Sequence, residues 1–167
     1  MKLASVLLSC ALLATAPLAA ETLPAPEGDV MITLSGALEN ETANGVVQMD
    51  MAQLQAMPTQ EFTTSTIWVE GDLTFTGVSL KALLEHAGAM GNTIEAVALN
   101  DYKVEIPVDS LTDDAPIVAY LMNGAPMSPR DKGPLWIVYP YDSDADYRSE
   151  VIYSRSIWQL DRIVAVK

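Results

Sequence analysis

The chain is poor in the side chains that most often carry chemistry. It holds one cysteine, Cys10, and one histidine, His86, among 167 residues. Cys10 lies in the first apolar stretch, so the rest of the chain has no disulfide, no thiolate nucleophile and no thiolate metal ligand. A Ser-His-Asp or Cys-His mechanism, or a zinc site built on histidine, would have to use His86, which stands beside Glu85 without obvious partners. Basic residues are also scarce, with 9 Lys and Arg against 22 Asp and Glu and a net charge of −13. Such a surface repels nucleic acid and anionic lipid, which excludes nucleic acid as a partner. Beyond the first twenty residues no apolar run is long enough to span a bilayer.

What is present begins with an export pattern. Lys2 supplies a positive start, Leu3 to Ala16 are nearly all apolar, and small residues end at Ala20 before polar, proline-containing sequence. That order predicts a signal peptide over residues 1–20 and a periplasmic protein. A lipobox-like Leu7-Leu8-Ser9-Cys10 offers a second reading, but the apolar core before Cys10 is very short. Residues 21–29, with Pro24 and Pro26, read as a flexible leader. Residues 30–167 read as one domain.

Within that domain the pattern alternates between strands and short helices. Val30–Leu34 and Val46–Met49 read as strands around a polar turn at Asn40–Gly45. Asp50 is suited to cap a helix over Met51–Met57 that stops before Pro58. Glu61–Glu70 is rich in strand-forming residues. Gly77 reads as a strand-to-helix turn, Ser79 as a cap, and Leu80, Leu83, Leu84 and Ala87 as one helix face ending at Gly88. Ile94–Leu99 and Tyr102–Ile106 read as strands about an Asn100-Asp101 turn. Ile117–Met122, Leu135–Tyr139 and Ile163–Val166 complete the strands, with a turn at Asn123–Pro126 and a helical turn over Ser154–Leu160. Asp142, Asp144 and Asp146 alternate as in a calcium loop, but the sixth position is Tyr147 and the twelfth Tyr153, so they read as a solvated acidic loop. Tyr141 and Tyr147, in that polar loop, read as a ligand-facing wall.

The segments FTGVSLKALLEHAG (Phe75–Gly88), NDYKVEIP (Asn100–Pro107), VAYLMNGAPM (Val118–Met127), KGPLWIVYP (Lys132–Pro140) and SRSIWQLDRI (Ser154–Ile163) follow one another in an order that resembles the molybdopterin-binding oxidoreductase domain of the sulfite-oxidase family. The resemblance implies an α+β fold, a mixed β-sheet domain with a few short helices, and a molybdopterin cofactor. It also implies a metal-ligating cysteine upstream of the helix. Here Ser65 stands at that position, with Thr64 or Thr66 as alternatives, and a hydroxyl is a harder and less acidic donor than a thiolate. Asn123, in its turn, and Arg155 and Trp158, in the basic and aromatic C-terminal stretch, complete the cofactor-facing residues that the resemblance suggests. Arg155 also reads as an ordinary surface ion-pair residue. No metal ligand is assigned.

Two functions remain open at this point. One is an exported molybdopterin-dependent oxidoreductase. The other is a non-catalytic periplasmic module on the same fold, without cofactor, that binds a small anionic or polar ligand or a membrane-bound redox or sensor protein. If Thr63–Thr66, the Asn123 turn and Arg155 converge, hydroxyls, turn N–H groups and one guanidinium would line a single concavity. Trp68 and Trp158 are the side chains large enough to fill that space instead.

Overall fold

The computed structural model describes residues 23–40 and 44–167. The expected export signal and part of the Asn40–Gly45 turn lie outside the described residues. The elements run β1 (Val30–Gly36), β2 (Val47–Asp50), α1 (Met51–Ala56), β3 (Thr59–Thr64), β4 (Leu73–Ser79), α2 (Leu80–His86), β5 (Thr93–Ala98), β6 (Lys103–Pro107), β7 (Ile117–Met122), β8 (Ala125–Pro126), β9 (Trp136–Val138), α3 (Glu150–Arg155) and β10 (Leu160–Val166). They build two five-stranded sheets, β2-β1-β10-β5-β6 and β3-β4-β7-β8, with β9 also paired to β7. The β1–β10 pair is parallel and joins the two ends of the domain, while the other pairs are antiparallel. This is the expected α+β architecture with a mixed sheet and short helices. No helix among the described residues is long and apolar enough to cross a membrane.

One hydrophobic cluster joins both sheets: Ile32, Leu34, Ile94 and Ile163 from the first meet Phe75, Val78 and Val118 from the second. Leu54 of α1 and Leu83 of α2 enter the same cluster. Period-2 alternation places Ile32 and Leu34 inward from β1, and the 3.6-residue period places Leu80, Leu83 and Leu84 inward from α2.

Local polar groups set where the first helices start. Asp50 caps α1 by accepting from the Gln53 amide at 2.9 Å, and the Gln53 side chain accepts the Asp50 amide at 3.0 Å. The second Asp50 oxygen accepts from the amides of Glu27 and Gly28 at 2.9 and 2.8 Å, so the segment before β1 is tied to the cap. The Gln53 and Gly28 amides, in that order, hold the Asp50 carboxyl below the usual carboxylate range. Ser79 caps α2 through the Ala82 amide.

Three elements differ from the sequence reading. The strand expected over Glu61–Glu70 ends at Thr64, because the Thr66 hydroxyl accepts from the Trp68 and Val69 amides and turns the chain. Gly77 opens no helix. It lies inside β4, where it allows close approach to β7: a Cβ there would sit 2.2 Å from the Val118 carbonyl oxygen. The helix expected over Ser154–Leu160 lies earlier, at Glu150–Arg155. Ser149 caps it, and the chain leaves helical geometry before Gln159, whose φ is 52°.

Candidate functional site

The segment after β3 is held by a carboxylate from a distant part of the chain. Asp142, four residues beyond β9, accepts the Ser65 amide at 2.5 Å and the Ser65 hydroxyl at 2.9 Å. Its amide donates to the Thr64 hydroxyl at 3.1 Å, and that hydroxyl lies 3.3 Å from the same carboxylate. Of the three residues expected at the metal-ligand position, Ser65 and Thr64 are therefore engaged with an aspartate, while the Thr66 hydroxyl donates to the Val69 carbonyl and accepts from the Trp68 and Val69 amides. The acidic loop is not merely solvated at its first position. The Ser65 amide, then the Ser65 hydroxyl, hold the Asp142 carboxyl below the usual carboxylate range.

A folded-state value below the unfolded one means that the clamp stabilises the chain above about pH 4 and is lost as pH falls through the depressed value. Asp142→Asn is expected to remove that component. In a pH series of urea unfolding, the wild-type advantage over the variant should shrink below about pH 4. An advantage that stays constant down to acid pH would contradict the clamp.

Trp68, presented by the Thr66 turn, forms the centre of an aromatic cluster. Its ring meets Trp136, Tyr141, Tyr153 and Trp158 edge-on, with centroids 5.8, 6.1, 5.7 and 5.7 Å away. Trp136 is fully buried, and its indole N–H donates to the Ser156 carbonyl at 3.1 Å. Tyr141 does not face a ligand as expected. It is buried, and its hydroxyl donates to Ser156 Oγ at 2.7 Å, which in turn donates to the Ile152 carbonyl. Its apolar ring drives it into the core once Ser156 satisfies the hydroxyl. Tyr147 is half-buried against Tyr139, with centroids 5.7 Å apart. Burial pushes the Tyr139 and Tyr141 phenols far above their ordinary range, so both stay neutral.

Beside this cluster lies a cavity of about 270 Å³, between the β5–β6 turn, the stretch after α3 and Trp68. Trp158 lines it. Thr64, Ser65, Thr66, Asn123 and Arg155 do not. Asn123 sits at the far end of β7, where its side chain accepts the Thr74 amide at 2.9 Å and its own amide donates to the Thr74 carbonyl. Thr74 Oγ1 lies 2.8 Å from Thr63 Oγ1, so Asn123 shares a sheet end with the Thr63–Thr66 segment. Arg155 closes α3 half-buried, and among the described residues it makes no ion pair. Its charge opposes the upward shift of Tyr139, whose buried hydroxyl has no hydrogen-bond partner among the described residues. The cavity beside Trp68 therefore does not bring the three regions together.

Residues 27–143 match the family of the oxidoreductase molybdopterin binding domain. The chain belongs to that family. The matched stretch takes in both sheets except β10, together with the Thr64–Ser65–Asp142 clamp, and it ends before Arg155 and Trp158. No curated protein matches the chain. Membership in the molybdopterin-binding family agrees with the segment order seen in the sequence and with the mixed-sheet fold.

The sequence reading missed Asp142 as a site residue, and it missed Asn100, Tyr102 and Tyr153 as cavity residues. Asp142 carried a usable signal, being the first acid after a buried aromatic strand. The other three become neighbours only through the β5–β6 turn and α3.

Proposed function

We propose that this chain is an exported binding module on the molybdopterin-binding fold that does not perform the family's molybdenum chemistry. One observation carries the reading: the Asp142 carboxylate bonds the amide and hydroxyl of Ser65, the position aligned with the family's cysteine ligand. An anionic group there opposes an anionic pterin dithiolate, and a hydroxyl already donating to it is a poor metal donor. The remaining donor set agrees. The sole cysteine, Cys10, lies in the expected signal, and among the described residues no three His, Cys, Asp or Glu side chains gather as a metal site. The residues present do not fit the cofactor. The N-terminal apolar stretch supports the periplasm as the compartment. Of the small anionic or polar ligands expected from the sequence, the cavity favours a polar one over an anion, because its wall has no Lys or Arg. A membrane-bound redox or sensor protein is the other class of partner such a module would serve. Family membership favours one second reading, a molybdopterin-dependent oxidoreductase, and the same experiment separates the two.

The experiment is elemental analysis of protein from a host competent in cofactor synthesis. Wild type and Ser65→Cys are both expected at background molybdenum, because the thiol would still face the Asp142 carboxylate. Molybdenum near one atom per chain in the wild type would establish the oxidoreductase reading. Molybdenum in Ser65→Cys alone would show that the cradle persists and that only the ligand has gone.

A further inference from the structure

We propose that the cavity beside Trp68 binds a small organic cation with a methylated ammonium head. Four aromatic side chains, Trp68, Tyr102, Tyr153 and Trp158, line it, and no Lys, Arg, Asp, Glu or His does. The wall lacks a positive charge for an anion and a carboxylate or imidazole for a metal ion. The field of a chain with net charge −13 raises the local concentration of cations and lowers that of anions.

The rings and the acidic surface favour a cation without N–H groups, and only part of the polar wall is already engaged. Asn100 Oδ1 already accepts the Tyr102 amide, Gln159 Nε2 donates to the Pro129 carbonyl at 2.6 Å, and Ser154 Oγ and Ser156 Oγ donate within or beside α3. Asn100 Nδ2, Gln159 Oε1 and the Tyr102 and Tyr153 hydroxyls have no hydrogen-bond partner among the described residues, so a sugar-like ligand is the competing occupant that the test has to exclude. A quaternary ammonium head has no donor to satisfy and a diffuse charge that is attracted to ring faces. The chain itself places a cation on one of these rings: the Lys132 ammonium lies 4.2 Å from the Trp158 centroid, although Lys132 does not line the cavity.

The inference rests on the reading of the chain as a binding module. Its test is a tryptophan-fluorescence titration of the full chain with choline, alongside 3,3-dimethylbutanol as the neutral isostere and glucose. Choline is expected to quench saturably in the millimolar range. The isostere should bind at least about tenfold more weakly, the difference being the cation–ring attraction. Tyr102→Leu, at a position 54% exposed and so tolerant of change, is expected to weaken choline about tenfold. Lys132→Met should tighten it by removing a like charge. Equal binding of choline and its isostere would reduce the cavity to an apolar hole and overturn the proposal. Non-saturable quenching by choline, or saturable binding of glucose alone, would overturn it as well. Bound molybdenum would sink the binding-module reading itself, whereas a molybdenum-free protein blind to choline sinks only this inference.

Discussion

Replacing Trp68 by alanine is expected to lower the unfolding free energy by about 3 kcal/mol, the lower end of the range for Trp→Ala, because the ring is only partly buried. For a chain of this size that corresponds to a fall in Tm of roughly 10 °C. Trp68 meets four other aromatic rings at centroid distances between 5.7 and 6.1 Å, and two of them, Tyr153 and Trp158, also line the cavity. The deletion therefore removes packing area and ring–ring attraction together, and leaves a void beside Trp136 that the β4–β7–β9 sheet is too rigid to close. Trp68→Phe keeps an aromatic ring and should cost far less. Urea unfolding of the two variants measures the difference. A loss below about 1 kcal/mol for Trp68→Ala would mean that the ring covers a surface rather than knitting the cluster together.

A second large effect is expected at Gly77. An alanine Cβ there would lie 2.2 Å from the Val118 carbonyl oxygen and 2.6 Å from the Ala119 Cα. Both are backbone atoms of β7, so no side-chain rotation relieves the contact. The β4–β7 ladder, which already shifts register between Thr76 and Gly77, must open or move. A loss of about 3 kcal/mol or more follows, or failure to fold. Gly124→Ala gives the contrast. Gly124 has φ 75° in the turn after β7 but open space around it, so only the left-handed backbone cost of about 1–2 kcal/mol applies. Similar losses at the two positions would show that backbone conformation, not strand approach, makes Gly77 necessary. Amide exchange along Thr74–Ser79 would locate the damage in the Gly77 variant.

These two positions also mark where reading the chain alone falls short. Gly77 precedes a helix with a good cap at Ser79, and a glycine before a cap looks like a turn. Its actual role depends on β7, which begins forty residues later in the chain. Trp68 lies in a run of β-favouring residues that reads as strand. The Thr66 hydroxyl captures two amides and turns the run into a loop. In both cases a local pattern is overruled by a contact or hydrogen bond that propensity does not encode.

The sequence by itself determined what depends on covalent inventory and short-range period. The strand Ile117–Met122, the pair of strands about Asn100-Asp101, the caps at Asp50 and Ser79, and the Asn123-Gly124 turn all follow from residues within a few positions of one another. So does the scarcity of thiolate, imidazole and basic side chains, which limits the chemistry open to any site. The order of the segments was enough to point to the family. Only the tertiary structure decided what became of the ligand position and where the cavity lies. Ser65 and Asp142 are 77 residues apart, and no periodicity links them. They meet because β4 pairs with β3 and β7, and β7 pairs with β9, which carries the following Asp142 back to the end of β3. The cavity likewise needs the β5–β6 turn, the stretch after α3 and the Trp68 loop in one place. Hydrogen bonds and ring contacts between such distant segments exist only after the sheets have paired, which is why they could not be read in the linear chain.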